Sequence, residues 1–330
     1  MKLVSMGDLA QTFALRRQNS SLSAEIAKLT EELASGRTTT PATHLAGDYR
    51  YLSDIEHRSK TAQAYETATN EAKGLTTAMQ AALENVQNTS ETLAADLLSA
   101  GHATQETWNT LSSQAEQQFS TVINSLNTSY AGRSVFAGDI TNGPALASAD
   151  DILTALRTAI AGASTYDDIQ QAVNDWFMSD AGFGTTAYQG SDQNLAPLKL
   201  GEQDTIHLDL RADASELRSL MADMALAAIS QDYADQGFQQ DLLVQSGMNL
   251  LEEQDNLTGL RADLGFAEER IEEIGVALSA EQLSLQYARE TLLGVDEYQT
   301  ATELENAQFQ LEALYTLTAR LSGLSLVNYL

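Results

Sequence analysis

The sequence feature that most constrains the fold is a seven-residue repeat of apolar side chains in the last third of the chain. Its main seam contains Leu250, Leu257, Leu264, Ile271, Leu278, Leu285 and Leu292. The alternate seam positions are mostly apolar too, at Leu260, Ala267, Ile274, Ala288 and Val295. Such a repeat indicates a coiled-coil helix, which at about 1.5 Å per residue is roughly 60 Å long. A compact core cannot cover one face of so long a helix, so we expect further helices that match it.

Matching apolar stripes lie toward both ends of the sequence. The first comprises Leu15, Asn19, Leu22, Ile26, Leu29 and Leu33, the second Met79, Leu83, Val86, Ser90, Leu93, Leu97 and Ala100, and the last Leu304, Ala307, Leu311, Leu314, Thr318 and Leu321. The simplest topology folds the N-terminal helices back against the C-terminal ones. We therefore predict a mainly α protein: a long antiparallel helical rod or coiled coil made from the N- and C-terminal segments, with a small mixed α/β inserted middle domain.

Prolines and glycines along the chain suggest where the helices and domains end. The three prolines, Pro41, Pro144 and Pro197, fall between helical patterns, and Ser35-Gly36 is typical of a helix C-cap. Residues 132–210 contain Gly-rich turns, two short helical patterns and a possible strand at 205–210, whereas 238–293 reads as one helix. We predict three domains. Residues 1–44 with 298–330 form a terminal coiled-coil assembly domain, and residues 45–135 with 212–297 form a helical rod domain. Residues 136–211 form a small inserted outer domain.

Composition argues against most kinds of chemistry. The 330 residues include no cysteine and only four scattered histidines, so thiolate metal sites and disulfides are excluded and no zinc-ligand spacing occurs. There is no Gly-rich phosphate loop, nucleophile elbow or dinucleotide fingerprint. Paired carboxylates such as Asp167-Asp168 are interpreted as solvated helix faces. We predict no enzymatic activity, no catalytic residue, no cofactor and no bound metal.

The distribution of charge suggests how the chain associates. The net charge of -28 argues against nucleic acid, and no apolar run is long enough for a membrane span or a secretory signal. Residues 1–40 carry five basic and four acidic groups, and residues 298–330 carry one basic and three acidic groups. The segment between them, 41–297, has 12 basic against 39 acidic residues. Nearly neutral ends can pack between copies without strong repulsion, while the acidic middle faces solvent.

Four segments resemble the bacterial flagellin superfamily, and within it the hook-filament junction proteins, the third of the hook-associated proteins. Residues 22–37, LSAEIAKLTEELASGR, are similar to a flagellin helix that ends in a Leu-x-Ser-Gly-basic turn. Residues 130–138, YAGRSVFAG, resemble the element that closes the N-terminal rod. Residues 206–227 resemble the strand and helix that re-enter the rod, and 304–330, ending in LSLVNYL, resemble the terminal helix.

The resemblance implies a structural subunit that polymerises at the distal end of the hook, beneath the filament. Implied partners are further copies in a helical ring, another hook-associated protein on the hook side, flagellin on the filament side and a flagellar export chaperone. The implied location is the extracellular flagellum, reached by type III export without a cleaved signal peptide. A filament flagellin remains an alternative, as does a non-flagellar coiled-coil adaptor or type III translocator.

The predicted site is an assembly interface rather than a pocket. Its residues are the seam positions of the two terminal helices, which the resemblance places on the inner wall of a tube. They are Leu15, Leu22, Ile26, Leu29, Leu33, Leu304, Leu311, Leu314, Leu321, Leu326 and Leu330.

Overall fold

The computed structural model of the chain describes the backbone of residues 6–233 and 236–327, and the side chains of 10–233 and 238–320. The α-helices are α1 (Met6–Ser35), α2 (Pro41–His44), α3 (Arg50–Leu98), α4 (Gln105–Leu126), α5 (Ala149–Ala159), α6 (Tyr166–Met178), α7 (Ser215–Ile229), α8 (Gln236–Leu293) and α9 (Glu297–Val327). The strands are β1 (Ser129–Tyr130), β2 (Arg133–Ser134), β3 (Leu198–Lys199) and β4 (Thr205–Ile206). The predicted fold class, mainly α with a small mixed insert, is confirmed.

The chain forms two compact units. One comprises Met1–Ala62 and Ala280–Leu330, and the other is Gln63–Ser279. The three-part division inferred from the sequence stays a prediction.

An antiparallel seam between α3 and α8 organises the unit formed by residues 63–279. Buried apolar residues at the predicted stripe positions fill it, among them Met79, Leu83, Val86, Leu93, Leu250, Leu257, Leu264 and Ile271. Its direction follows from the polar contacts that flank it: Lys73 pairs with Glu272, Gln87 with Thr258, and Ser90 with Gln254. The partner number falls along α8 as the residue number rises along α3. The prediction of a single helix over 238–293 is also confirmed.

Helix α7 is the central core element of the same unit. Nearly all its residues from Leu217 to Ile229 are buried, as expected of a helix that is covered on all sides. It packs against α4 and α6. Its C-terminal carbonyls are satisfied by Ser112 of α4, whose hydroxyl lies 3.0 Å from the Ala227 oxygen and 2.8 Å from the Ala228 oxygen.

The segment between α4 and α7 holds two small antiparallel sheets. β1 pairs with β2, and β3 pairs with β4. The predicted strand at 205–210 is therefore shorter than expected, because β4 pairs only over Thr205–Ile206. The side chains of Ile206 and Leu208 are nevertheless both buried, so the alternation that suggested the strand reflects real burial. In the same segment, the rings of Trp176, Phe177 and Phe183 pack together at centroid distances of 5.0 to 6.3 Å.

Truncation within the seam tests its contribution to stability. Leu264 is buried and Leu283, on the same helix, is 69% exposed. We expect Leu264→Ala to lower the free energy of unfolding by about 2–5 kcal/mol, since it removes buried methyl groups and leaves a cavity. Leu283→Ala should change it by less than about 0.5 kcal/mol. Chemical denaturation followed by circular dichroism measures both, and equal losses would contradict the seam.

A carboxyl group lies in a cleft lined by α6, α7 and α8. The pKa of Asp223 is raised to about 7, chiefly by burial; the charges of Glu253 and Glu252 add to the rise, and a hydrogen bond from Asn249 partly opposes it. The Asn249 nitrogen lies 2.7 Å from the Asp223 oxygen. Asp167, Glu252 and Glu253 line the same cleft, so the ionised form of Asp223 faces like charges.

This arrangement gives stability a defined dependence on pH. The pKa of Asp223 is higher in the folded chain than the ordinary value near 4. The protonated carboxyl therefore makes its full contribution to the free energy of unfolding below about pH 4, and this contribution is lost as the pH rises through about 7. We expect Asp223→Asn to raise the melting temperature at pH 8 and to leave it unchanged near pH 4. The control is Asp263→Asn at an exposed position of α8. An equal effect at both pH values would contradict the assignment.

Candidate assembly surface

The two terminal helices, α1 and α9, pack against each other in the unit that contains both. Of the predicted assembly residues, Leu22 and Leu29 of α1 and Leu314 of α9 are buried. Those at intermediate exposure are Leu15, Ile26, Leu33, Leu304 and Leu311. The side chains of Leu321 and Leu326, and all of Leu330, lie outside the described residues. The structure therefore brings the described seam residues of α1 and α9 together within one chain.

The end of α1 is joined to the turn between α8 and α9. Gly36 adopts φ +68°, a left-handed conformation that ends the helix at low cost for glycine, as Ser35-Gly36 predicted. The Thr38 nitrogen donates to the Leu293 oxygen at 2.9 Å, and the Val295 nitrogen donates to the Gly36 oxygen at 3.1 Å. Because the end of α1 lies beside the start of α9, the two helices run antiparallel.

Ionic contacts reinforce this junction. The Arg37 guanidinium donates to both carboxylate oxygens of Glu290. Glu32 is buried and accepts hydrogen bonds from the Thr39 nitrogen at 2.8 Å, the Thr39 hydroxyl at 3.0 Å and the Thr38 hydroxyl at 3.2 Å. Burial alone would raise the pKa of Glu32, but the hydrogen bonds from Thr39, the charge of Lys28 and the hydrogen bond from Thr38 lower it. Glu32 is therefore ionised, and as a charged hydrogen-bond acceptor it holds the residues that follow α1 in place.

Exposed aromatic side chains lie on α1 and on α9, in each helix on the side turned away from the seam between them; these two sides are together called the outer face of the pair. Tyr298 is 84% exposed and Phe309 is 71% exposed. Because these two residues are eleven apart, about three turns, they share one side of α9, roughly opposite buried Ala307 and Leu314. Phe13 is 71% exposed and lies two residues before Leu15, more than half a turn from the α1 seam. Contact with another molecule is one way in which these rings could be removed from solvent.

Sequence reasoning missed this outer face. The heptad rule selects residues that face a partner helix, and Phe13, Tyr298 and Phe309 are out of register with it. Large aromatic residues at non-seam positions of an otherwise polar helix face are the signal that could have identified them.

Neither a metal-ligand cluster nor a membrane span is found among the residues that the structure describes. Within residues 10–233 and 238–320, no group of three or more His, Cys, Asp or Glu side chains is arranged to hold a metal ion. A search of the described helices finds none that is long and apolar enough to cross a bilayer.

Parts of the chain are similar to known proteins in sequence or in fold. Residues 248–330 match the bacterial flagellin C-terminal helical region. The fold is similar to a Vibrio parahaemolyticus protein provisionally described as flagellar hook-associated, with TM-score 0.52, 12% identity, and coverage of 75% of this chain and 99% of that one. The crystal structure of Bacillus cereus FlgL aligns with TM-score 0.49 and 16% identity over 70% of this chain and 96% of that one. A comparison with curated protein sequences gives no match.

Removing the buried acceptor tests the junction after α1. We expect Glu32→Ala to destabilise the unit by about 1–3 kcal/mol, because three hydrogen-bond donors lose a charged acceptor. Glu31→Ala, at the exposed neighbouring position, is the matched control. Amide exchange of residues 36–39 should accelerate only in the Glu32 variant. Protection that is unchanged in both variants would contradict this role.

Proposed function

We propose that this chain is a structural subunit of the bacterial flagellum that polymerises through its terminal helices. The observation that carries the proposal is the aromatic outer face of the α1–α9 pair, within which α9 lies inside the segment that matches the flagellin C-terminal helical region. A soluble helix pair gains nothing from Phe13, Tyr298 and Phe309 in water. Contact with further copies would remove these rings from solvent, at roughly 25 cal/mol per Å² of apolar area.

We further propose a position at the hook-filament junction. The similarity of residues 130–138 and of the closing LSLVNYL to junction proteins supports this position. On this proposal the subunits form a helical ring between another hook-associated protein and flagellin, and an export chaperone binds the chain before secretion. Export would proceed by the type III route to the extracellular flagellum. The role is structural, with no catalytic step.

Charge explains why the terminal helices are suited to this task. Residues 1–40 and 298–330 are nearly neutral, whereas residues 41–297 carry almost the whole net charge of -28. Repulsion between exposed charges is screened over about 8–10 Å at physiological salt. The strong short-range contacts of a polymer can therefore form between the ends, while the acidic segment remains solvated.

The same features fit two other assignments less closely. A filament flagellin would use the same terminal helices but would be the bulk protein of sheared filaments. A coiled-coil adaptor or type III translocator would use the helices without being part of a flagellum. Immunogold labelling of isolated hook-filament structures distinguishes the three. We expect label at the distal end of the hook; label along the whole filament indicates a flagellin, and its absence from flagella would overturn the flagellar role.

A substitution on the outer face tests polymerisation directly. A fully buried Phe contributes about 1.5–3 kcal/mol, so Phe309→Ser should raise the concentration needed for polymerisation about tenfold or more. The monomer should melt at the parent temperature, because Phe309 is exposed in it. Gln308→Ser, at the exposed adjacent position, is the matched control. Sedimentation and electron microscopy of the three proteins provide the measurement, and parent-like polymers from Phe309→Ser would contradict the interface.

A further inference from the structure

A small apolar cleft opens on the surface of the unit formed by residues 63–279. It lies between α3, the β1–β2 hairpin and β3, and its volume is about 170 Å³. Its apolar lining includes Ala72, Leu75, Leu195, Leu198 and Leu200. A cavity of about 150 Å³ is large enough to hold a benzene ring, so the cleft has the right size for one aromatic side chain.

The hairpin wall of the cleft is held close to α3 by a glycine. Gly74 lies in the middle of α3, where its lack of a side chain would ordinarily weaken the helix. A Cβ atom at this position would collide with the phenol of Tyr130. Arg133 pairs with Glu71 at 2.8 Å and fixes the same hairpin to α3. The cleft is thus a product of specific close packing.

The polar groups of the cleft point to the chemistry of an occupant. Arg133 and Lys199 place two cations at its rim, with Glu71 as the single carboxylate of the lining. The rim of the cleft is therefore locally basic, although the whole chain has a net charge of -28. Inside, the buried Ser134 hydroxyl has no hydrogen-bond partner among the described residues. A hydroxyl of this kind can point at the face of an aromatic ring. An aromatic side chain flanked by carboxylates would match these features.

This chain carries such a group on α8. Phe266 is 69% exposed. Asp263 and Glu269, three residues before and after it, share its side of the helix and are exposed as well. Arg270, four residues after Phe266, is already paired with Asp204 and Glu273. Phe266 is thus an exposed ring flanked by two carboxylates, complementary in size and charge to the cleft. Because Phe266 remains in solvent in its own chain, a second copy is the occupant that supplies it.

We propose that, in the polymer, Phe266 of one copy inserts into the α3–β1–β2–β3 cleft of the next copy, with Asp263 and Glu269 facing Arg133 and Lys199. Knob and cleft are different surfaces of one subunit, so the contact is heterologous and can repeat along an open assembly. The inference rests on the proposed polymerisation and extends it to a contact outside the terminal helices. It also places opposite charges together at a point where two acidic subunits would otherwise repel.

The absence of cysteine from the sequence allows a clean crosslinking test. Lys199→Cys and Glu269→Cys chains are mixed, polymerised and oxidised, and crosslinked dimers are detected by mass. We expect a dimer that contains one chain of each variant. Asp255→Cys, at an exposed position about four turns earlier on α8, replaces Glu269→Cys in the control and should give none. Absence of the mixed dimer from the oxidised polymers would overturn the contact between copies.

Substitutions test the same contact by energetics. Phe266→Ser should raise the polymerisation concentration about tenfold, whereas Val276→Ser, at another exposed α8 position, should not. Lys199→Glu should impair polymerisation, and adding Glu269→Lys should restore it. Normal polymers from Phe266→Ser without the 199–269 crosslink would overturn this contact and leave the proposed function standing. Failure of the parent chain to polymerise would overturn the proposed function and this contact with it.

Discussion

The antiparallel seam between α3 and α8 is the interaction on which the unit of residues 63–279 depends. It joins segments that are distant in sequence, such as Ser90 and Gln254, which are 164 residues apart, and so closes a loop that contains α4 to α7. Each fully buried leucine contributes about 1.5–3 kcal/mol, and the seam contains a row of them. Polar contacts at fixed positions, such as the Arg261 guanidinium with the Gln87 oxygen at 2.7 Å, are lost if the helices shift by one repeat. Apolar burial supplies stability, and these contacts specify register.

The long helices were predictable because their information is local. The heptad of α8 and the Ser35-Gly36 signal that ends α1 are both readable within a few turns of sequence. The region between α4 and α7 was harder, since its strands are only two residues long and pair as short hairpins, which leaves little alternation for sequence reasoning to detect. Residues 205–210 alternate in burial as a strand would, yet the ladder ends at Ile206 because β3 is itself only two residues long. Periodicity reports which side is buried, but not whether a partner strand continues.

The candidate surface was predictable only in part, for a related reason. Heptad positions identify what α1 and α9 bury against each other, and the structure places Leu22, Leu29 and Leu314 in that role. Phe13, Tyr298 and Phe309 on the outer face remain exposed, and they are the groups proposed to contact a neighbouring copy. A seam is recognised by its repeat, whereas a second face consists of isolated aromatic residues with no repeat. The role of the leucines in contacts between copies therefore stays a prediction.

The proposed contacts at the ends and in the middle of the chain differ because the charge around them differs. At the nearly neutral ends, apolar area can be buried with little electrostatic cost, so several aromatic groups suffice. In the acidic middle, burial must overcome repulsion between copies, which favours a small contact where opposite charges meet, such as Phe266 with its flanking carboxylates against Arg133 and Lys199. Salt weakens both the general repulsion and this local attraction, whereas apolar burial at the ends is insensitive to screening. On this proposal, the ends are the contacts able to hold a polymer together over a range of ionic strength, and the cleft on the unit of residues 63–279 sets how neighbouring copies are aligned.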